Sequence, residues 1–309
     1  MYKLKKFYRQ FNYLLSIIYY KIRGNQFIYP DFISNQGITE PNLEKPTSQL
    51  VTFSQFKSEI YYNWCKILNE EPLLHRKQWE FIYVLEVLKQ KGKLHNGISG
   101  LGFGVGTEPL PAVFASYGCS ILATDQDLDQ ARMQGWTNSL QHSTNVSMLK
   151  YKNITTLETL QKRVEFKALD MLKIPKEYNN SFDFVWSCCA LEHLGSIKNG
   201  LDFILNSLDC LKVGGVAVHT TEFNLSSNKQ TLYSGDTVLF RKKDIQYLIL
   251  EAEKRGFYVY PVNYNPGTSN IDKHIDLPPF KSTPDRIHEK LLYVYVTTSI
   301  GLIFERKES

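Results

Sequence analysis

From Gly97 onward, short apolar runs alternate with segments of helical period. That alternation leaves few folds open. Strands are expected near residues 97–102, 119–124, 164–169, 182–188, 215–221, 256–263 and 291–305. Helices are expected near 109–117, 127–140, 197–211 and 242–255. Parallel neighbours need a crossover connection, and the helices supply it. The expected fold is α/β, a doubly wound, mostly parallel sheet of seven strands. Segments 223–240 and 264–290 interrupt the alternation. Insertions of that length beside such a sheet usually carry function.

Ahead of the sheet the pattern is helical. Leu4, Phe7, Phe11, Leu14, Leu15, Ile18 and Ile22 recur at spacings of three and four, a stripe of helical period over residues 2–23. A linker with Gly24, Pro30, Gly37, Pro41 and Pro46 follows, then two cap helices over 54–68 and 76–91. The expected organisation is a helical N-terminal region, 1–92, and a sheet domain, 93–309. Residues 1–30 carry Lys3, Lys5, Lys6, Arg9, Lys21 and Arg23 and no acid. The remainder holds 30 bases against 31 acids, so the body of the protein is not a nucleic-acid platform. No apolar stretch near the N-terminus approaches the ~20 residues of a membrane span. The five cysteines form no C-x-x-C pair, which points to reduced thiols and a cytoplasmic setting.

The sharpest local feature is Gly100-Leu-Gly102-Phe-Gly104-Val-Gly106-Thr-Glu108-Pro109, between a strand and a helix. Glycines there allow a tight turn that presents backbone N–H groups to a ligand. A dinucleotide fingerprint fails in every register, because Val105, Thr107 or Pro109 stands where its third glycine belongs. The lysine and hydroxyl of a phosphate-binding loop are absent too.

Gly102-x-Gly104-x-Gly106 resembles the first motif of class I S-adenosylmethionine-dependent methyltransferases, and the resemblance runs in order over residues 97–305. Asp125 closes the second strand, where the resemblance implies a carboxylate for the ribose hydroxyls. Asp170-Met171 follows the third strand and would meet the adenine. Ser187 ends the fourth strand on the cofactor side. Leu211-Lys-Val-Gly214-Gly215 opens the fifth, and Gly256-Phe257 onward fits the family's reversed last hairpin. The resemblance thus implies S-adenosyl-L-methionine as cofactor, bound by Gly102, Gly104, Gly106, Glu108, Asp125, Asp170, Met171 and Ser187. One departure stands out. The family commonly has an acid two residues before the first motif glycine, and here that position is Gly100. Glu108 is the candidate replacement, or else an acid interacting with the helix dipole. Segments His75–Glu80, Gly102–Pro109 and His219–Glu222 further resemble a bacterial group associated with surface-glycan and secondary biosynthesis.

Methyl transfer to a hydroxyl needs alignment and a base. His193, after the fourth strand, or His219, at the end of the fifth, is the candidate base, with Glu222 nearby as a further catalytic candidate. Each also has a plain structural reading: a helix-start histidine, a buried strand histidine and a strand-end acid. Glu222, Asp272, His274 and Asp276 could gather a divalent ion, but no ligand spacing is diagnostic, so no metal is assigned. Trp79 is expected in the core, while Arg76 and Lys77 are expected near the site. An Asn/Asp-Pro-Pro-aromatic motif is missing after the fourth strand, which favours oxygen over amide nitrogen as acceptor. Together with the resemblance to the glycan-associated group, which implies a sugar acceptor, this makes O-methylation of a sugar hydroxyl the expected activity. The alternatives are a lipid, quinone or peptide acceptor, or an inactive cofactor-binding adaptor at a membrane. The expected partners are a small-molecule or glycan substrate and no nucleic acid, with a peripheral, inner-face membrane contact through residues 2–23 as the further option. For that helix the preferred expectation is that its apolar stripe docks on the domain or a second subunit.

Overall fold

The computed structural model describes residues 13–22, 39–129, 132, 142–278, 280 and 288–308. Trp136, most of the helix expected at 127–140 and the start of the helix expected at 2–23 lie outside the described residues. One sheet of ten strands runs through the described part. The strands are β1 (Ser48–Leu50), β2 (Ser99–Phe103), β3 (Ser120–Asp125), β4 (Val164–Ala168), β5 (Phe182–Cys188), β6 (Leu211–Asn224), β7 (Phe257–Val259), β8 (Val262–Asn263), β9 (Lys290–Leu292) and β10 (Tyr295–Arg306). Their order is β4-β3-β2-β5-β6-β10-β1-β8, with β7 and β9 also paired to β10. β2 through β6 are mutually parallel, and β10 is antiparallel to β6 and β7. The doubly wound sheet with a reversed last hairpin is present.

The helices are α1 (Phe53–Phe56), α2 (Glu59–Leu68), α3 (Arg76–Gln90), α4 (Leu110–Ser116), α5 (Leu157–Arg163), α6 (Ile197–Leu208) and α7 (Lys242–Lys254). Successive strand residues face opposite sides, and both sides are covered. Phe184, Trp186, Val216 and Val218 join a core with α2 to α5. Val185, Ala217, Leu302 and Phe304 join a second core with α6 and α7. Burial on both faces explains why these strands are nearly continuous apolar runs.

Four elements differ from the sequence reading. β1 was not expected, and it pairs with β10, so residues before 92 contribute to the same sheet rather than forming a purely helical extension. α5 was not expected either; Thr156 starts it by accepting from Thr159 N at 3.1 Å. The strand expected over 256–263 is interrupted at Pro261, which has no N–H to give. β6 runs on to Asn224, because β10 pairs with it as far as Thr297 opposite Asn224.

The N-terminal helix is helical over 13–22. Its docked side is not the aliphatic stripe. Ser16 is buried, Tyr20 packs on the α6–α7 core, and the Tyr13 ring lies 6.2 Å from Phe280. Leu14, Leu15, Ile18 and Ile22 face outward. In its described part the helix thus overturns the expectation that the stripe packs on the domain.

Candidate functional site

The chain steps outward from β2 to β3 to β4, then returns to the other side of β2 for β5 and β6. The strand order reverses between β2 and β5. Ligands of open α/β sheets bind beyond the carboxyl ends of the strands at such a switch point. The glycine turn sits there. Gly102 is still inside β2, and a Cβ on it would lie 2.2 Å from the Trp186 ring. Its role is to admit Trp186 from β5. Gly104 is different. Its φ is +59°, and a Cβ would meet Ala190 Cβ at 2.8 Å and Met171 Sδ at 3.4 Å. The turn, the loop after β4 and the loop after β5 converge on this bare backbone, a cradle that a side chain would fill.

Asp125 reaches that turn from the end of β3. Its Oδ2 accepts from Gly106 N at 3.0 Å and Ser143 N at 3.4 Å, and its Oδ1 from Gln126 N at 2.8 Å. Ser143 Oγ donates to the Gly106 carbonyl, while His142 bonds Gln126 O at 2.8 Å. Burial raises the Asp125 pKa despite these donors. Asp170 is half-buried and begins a turn, accepting from Leu172 N at 2.9 Å. Met171 beside it is buried over Gly104.

Glu108 follows the turn and is buried. Trp186 Nε1 donates to its Oε1 at 2.6 Å. Burial outweighs that bond and pushes the carboxyl up to about 8. Lys77 and Glu80 face it from α3, Asp125 from β3 and Cys188 from β5. A carboxylate cannot occupy position 100 in its place, since the Phe184 ring lies 2.3 Å from where a Gly100 Cβ would stand.

A charged cluster closes the other side, over the ends of β5 and β6. His75 starts α3, its Nδ1 accepting from Lys77 N at 3.2 Å, and this aims Arg76, Lys77 and Glu80 at the strand ends. Arg76 pairs with Glu222. Lys290 reaches the same Glu222 oxygen at 2.8 Å, and Thr297 Oγ1 donates to the other at 2.8 Å. Lys77 Nζ donates to Cys188 O at 2.9 Å and pairs with Glu80 at 3.2 Å. Ser299 and Cys189 both donate to Glu80 Oε1, at 2.5 and 2.9 Å. Cys189 holds a left-handed φ of 46°, uncommon without a glycine, where the chain leaves β5.

This cluster holds Glu222 as an ion-pair partner. Burial alone would raise its pKa, but Arg76 and Lys290 hold it far below the carboxylate range. As an anion it joins α3, β6 and β9. The role expected of His219 is corrected. It is fully buried, its Nδ1 2.8 Å from Ser187 Oγ and its Nε2 3.1 Å from Ser207 Oγ. Burial lowers its pKa to about 3, so it stays neutral inside the α6 core. Ser187 is buried and its hydroxyl is bonded to His219.

His193 keeps a position suited to chemistry. It is half-buried on the loop after β5. Its Nδ1 lies 2.7 Å from the Asp236 carbonyl and 3.3 Å from Thr237 Oγ1. A carbonyl only accepts, so Nδ1 carries the proton and Nε2 the lone pair of the neutral ring. Glu192 beside it is buried and accepts from Thr221 Oγ1 at 3.0 Å; burial raises its pKa. Sequence reasoning passed over Glu192 and Lys290. The first sat inside a motif read for its histidine, and the second had no local signal at all.

The acids considered for a metal do not meet. Asp272 bonds His288 Nε2 at 2.9 Å, Ser269 Oγ at 2.7 Å and Phe53 N at 2.6 Å. Among the described residues no three His, Cys, Asp or Glu side chains gather as metal ligands would. Trp79 is buried, stacked on Tyr83 at 4.9 Å and bonded to Gln55. Phe240 lies in the α6–α7 core.

No protein-family model matches the sequence, and no curated protein matches it at a significant level. Solved structures do resemble it. One is a Galdieria sulphuraria protein provisionally assigned as a sarcosine dimethylglycine methyltransferase, 17% identical, with a TM-score of 0.46, covering 74% of this chain and 85% of that one. A second is a magnesium protoporphyrin IX methyltransferase from Synechocystis with bound S-adenosylhomocysteine, 15% identical, TM-score 0.40, covering 82% and 97%. A third is an S-adenosylmethionine-dependent methyltransferase from Mesorhizobium loti, 14% identical, TM-score 0.40, covering 71% and 96%.

Proposed function

We propose that this protein is an S-adenosylmethionine-dependent O-methyltransferase that acts on a sugar hydroxyl of a glycan or its precursor. The observation that carries the reading is the cradle at the switch point, where Gly104 lies bare beneath Met171 and Ala190 and Asp125 reaches the turn from β3. When bound, S-adenosylmethionine would supply an electrophilic methyl group, which the acceptor oxygen takes in line as the thioether sulfur leaves with the bonding pair. The chain's residues divide the remaining tasks. Backbone groups at Gly104 and Gly106 leave room for close approach, Asp125 accepts from ribose hydroxyls, and Asp170 and Met171 flank the adenine. His193 takes the proton of the acceptor hydroxyl on Nε2. Glu192 is its chain neighbour and accepts from Thr221 Oγ1, and such carboxyl and hydroxyl groups suit a polyol better than an apolar ring. The likeness of three sequence segments to a glycan-associated group supports the same acceptor. Five unpaired thiols suit a reducing, cytoplasmic setting.

Calorimetric titration with S-adenosylmethionine, S-adenosylhomocysteine and NAD tests the reading. The first two are expected to bind and NAD is not. Gly104→Val, strained at φ +59° and in collision with Ala190, is expected to weaken both by about a hundredfold or more. Selective binding of NAD would remove the proposal.

Glu108 adds a proton signature. Below about pH 8 its buried carboxyl holds a proton. A cationic ligand centre beside it favours the carboxylate and releases that proton. Between pH 6 and 7, S-adenosylhomocysteine affinity is therefore expected to rise by nearly tenfold, the limit for one linked proton. Calorimetry at pH 7 in buffers of different ionisation enthalpy should report close to one proton released. Glu108→Gln should bind without that release; release persisting in the variant would assign it to another group.

A further inference from the structure

We infer that the outward face of helix 13–22 seats this protein on an anionic lipid surface. The helix has two opposite sides. Ser16 and Tyr20, with Tyr13 at the margin, fix one side to the domain. Leu14, Leu15, Ile18 and Ile22 occupy the other at 55, 48, 44 and 78% exposure. At 100° per residue these four fall within one stripe about 100° wide, with Lys21 at its margin. Single exposed aliphatics need no explanation, but four aligned on one helix do.

Charge selects the occupant. The first 30 residues carry six bases and no acid, while the rest of the chain is nearly neutral. A second copy set face to face on this stripe would bring the two basic segments together, and like charges repel. Lipid phosphates attract them, while acyl chains accept the aliphatic side chains. No helix among the described residues is long and apolar enough to cross a membrane. Its docked side rests near Phe280 and Glu289, on the segment that ends in Lys290. The bilayer is thereby brought to the Lys290–Glu222 side of the site.

The test is cosedimentation of the full chain with vesicles of phosphatidylcholine, with and without phosphatidylglycerol. Binding is expected only to the phosphatidylglycerol vesicles, and it should weaken as salt is added. Leu14→Ser with Ile18→Ser should reduce it more than tenfold, and Lys21→Glu at least fivefold. These side chains are exposed, so the variants should keep the wild-type circular dichroism and melting temperature. Failure of the full chain to bind, or equal binding by the serine variant, overturns the inference. So does sedimentation equilibrium showing a dimer that the serine variant dissociates, because a second copy would then cover the stripe.

Discussion

Glu222→Gln is expected to lower folding stability by about 3 kcal/mol, seen as a shifted urea midpoint with an unchanged slope. The substitution keeps the shape and removes the charge. Arg76 and Lys290 then face each other across a neutral amide, with Arg76 only 17% exposed at its side chain. The cost belongs to the stranded cations rather than to the lost pair, so a compensating variant should recover most of it. Arg76→Met with Glu222→Leu replaces the buried pair by apolar groups, and Lys290, 23% exposed, can reach water. The pH dependence has a definite sign. Glu222 has a depressed folded pKa, so its contribution is complete above the ordinary glutamate value of 4.5 and is lost as pH falls below it. Glu108 runs the other way. Its folded pKa is raised, so its stabilising protonated form is lost as pH rises toward about 8. A Glu222→Gln chain with the wild-type midpoint but little turnover would instead assign Glu222 a part in the chemistry.

The glycine turn, Asp125 and Asp170-Met171 were legible because each is local: a strand end, a turn and a helix start within a few residues. The fold was legible for the same reason, since period two and period 3.6 alternate along the chain. What escaped was assembled from distant residues. Arg76, Glu222 and Lys290 meet only after α3 packs across β6 and the 264–290 segment returns beside β10. No spacing announces that. His219 and Glu222 were misplaced by one error, the assumed end of β6. Taken to stop at 221, the strand leaves Glu222 at an open edge; running to Asn224, it places Glu222 inside the sheet, opposite Ser299. His219 then sits deeper on a central strand covered on both faces, where either parity is buried. Periodicity likewise gave the N-terminal stripe but not its neighbour. Tyrosines and a serine, not aliphatics, turned out to make the docking side.

Because His219 is fully buried and Glu222 is held by Arg76 and Lys290, the second large effect is expected at His193. His193→Ala is expected to lower kcat by a factor of about 10² to 10⁴, the usual worth of a general base. The Kd of S-adenosylhomocysteine should stay within about twofold, because the Nδ1 hydrogen bonds of His193 go to Asp236 and Thr237. A merely structural histidine would not give that split. Its ring is tied at Nδ1 to the 223–240 segment through Asp236 and Thr237. Loss of the tie would loosen that segment, lowering stability and raising KM with kcat less affected. The neighbouring carboxyl is the sharper rival. Glu192 is buried with a raised pKa and could itself hold the acceptor's proton. The two are separated by a pair of variants. Glu192→Gln keeps the bond to Thr221 through its amide oxygen and removes only the capacity to ionise. If His193 is the base, Glu192→Gln retains most of its turnover and His193→Ala does not. The reverse pattern moves the proton to Glu192 and leaves His193 to position the loop.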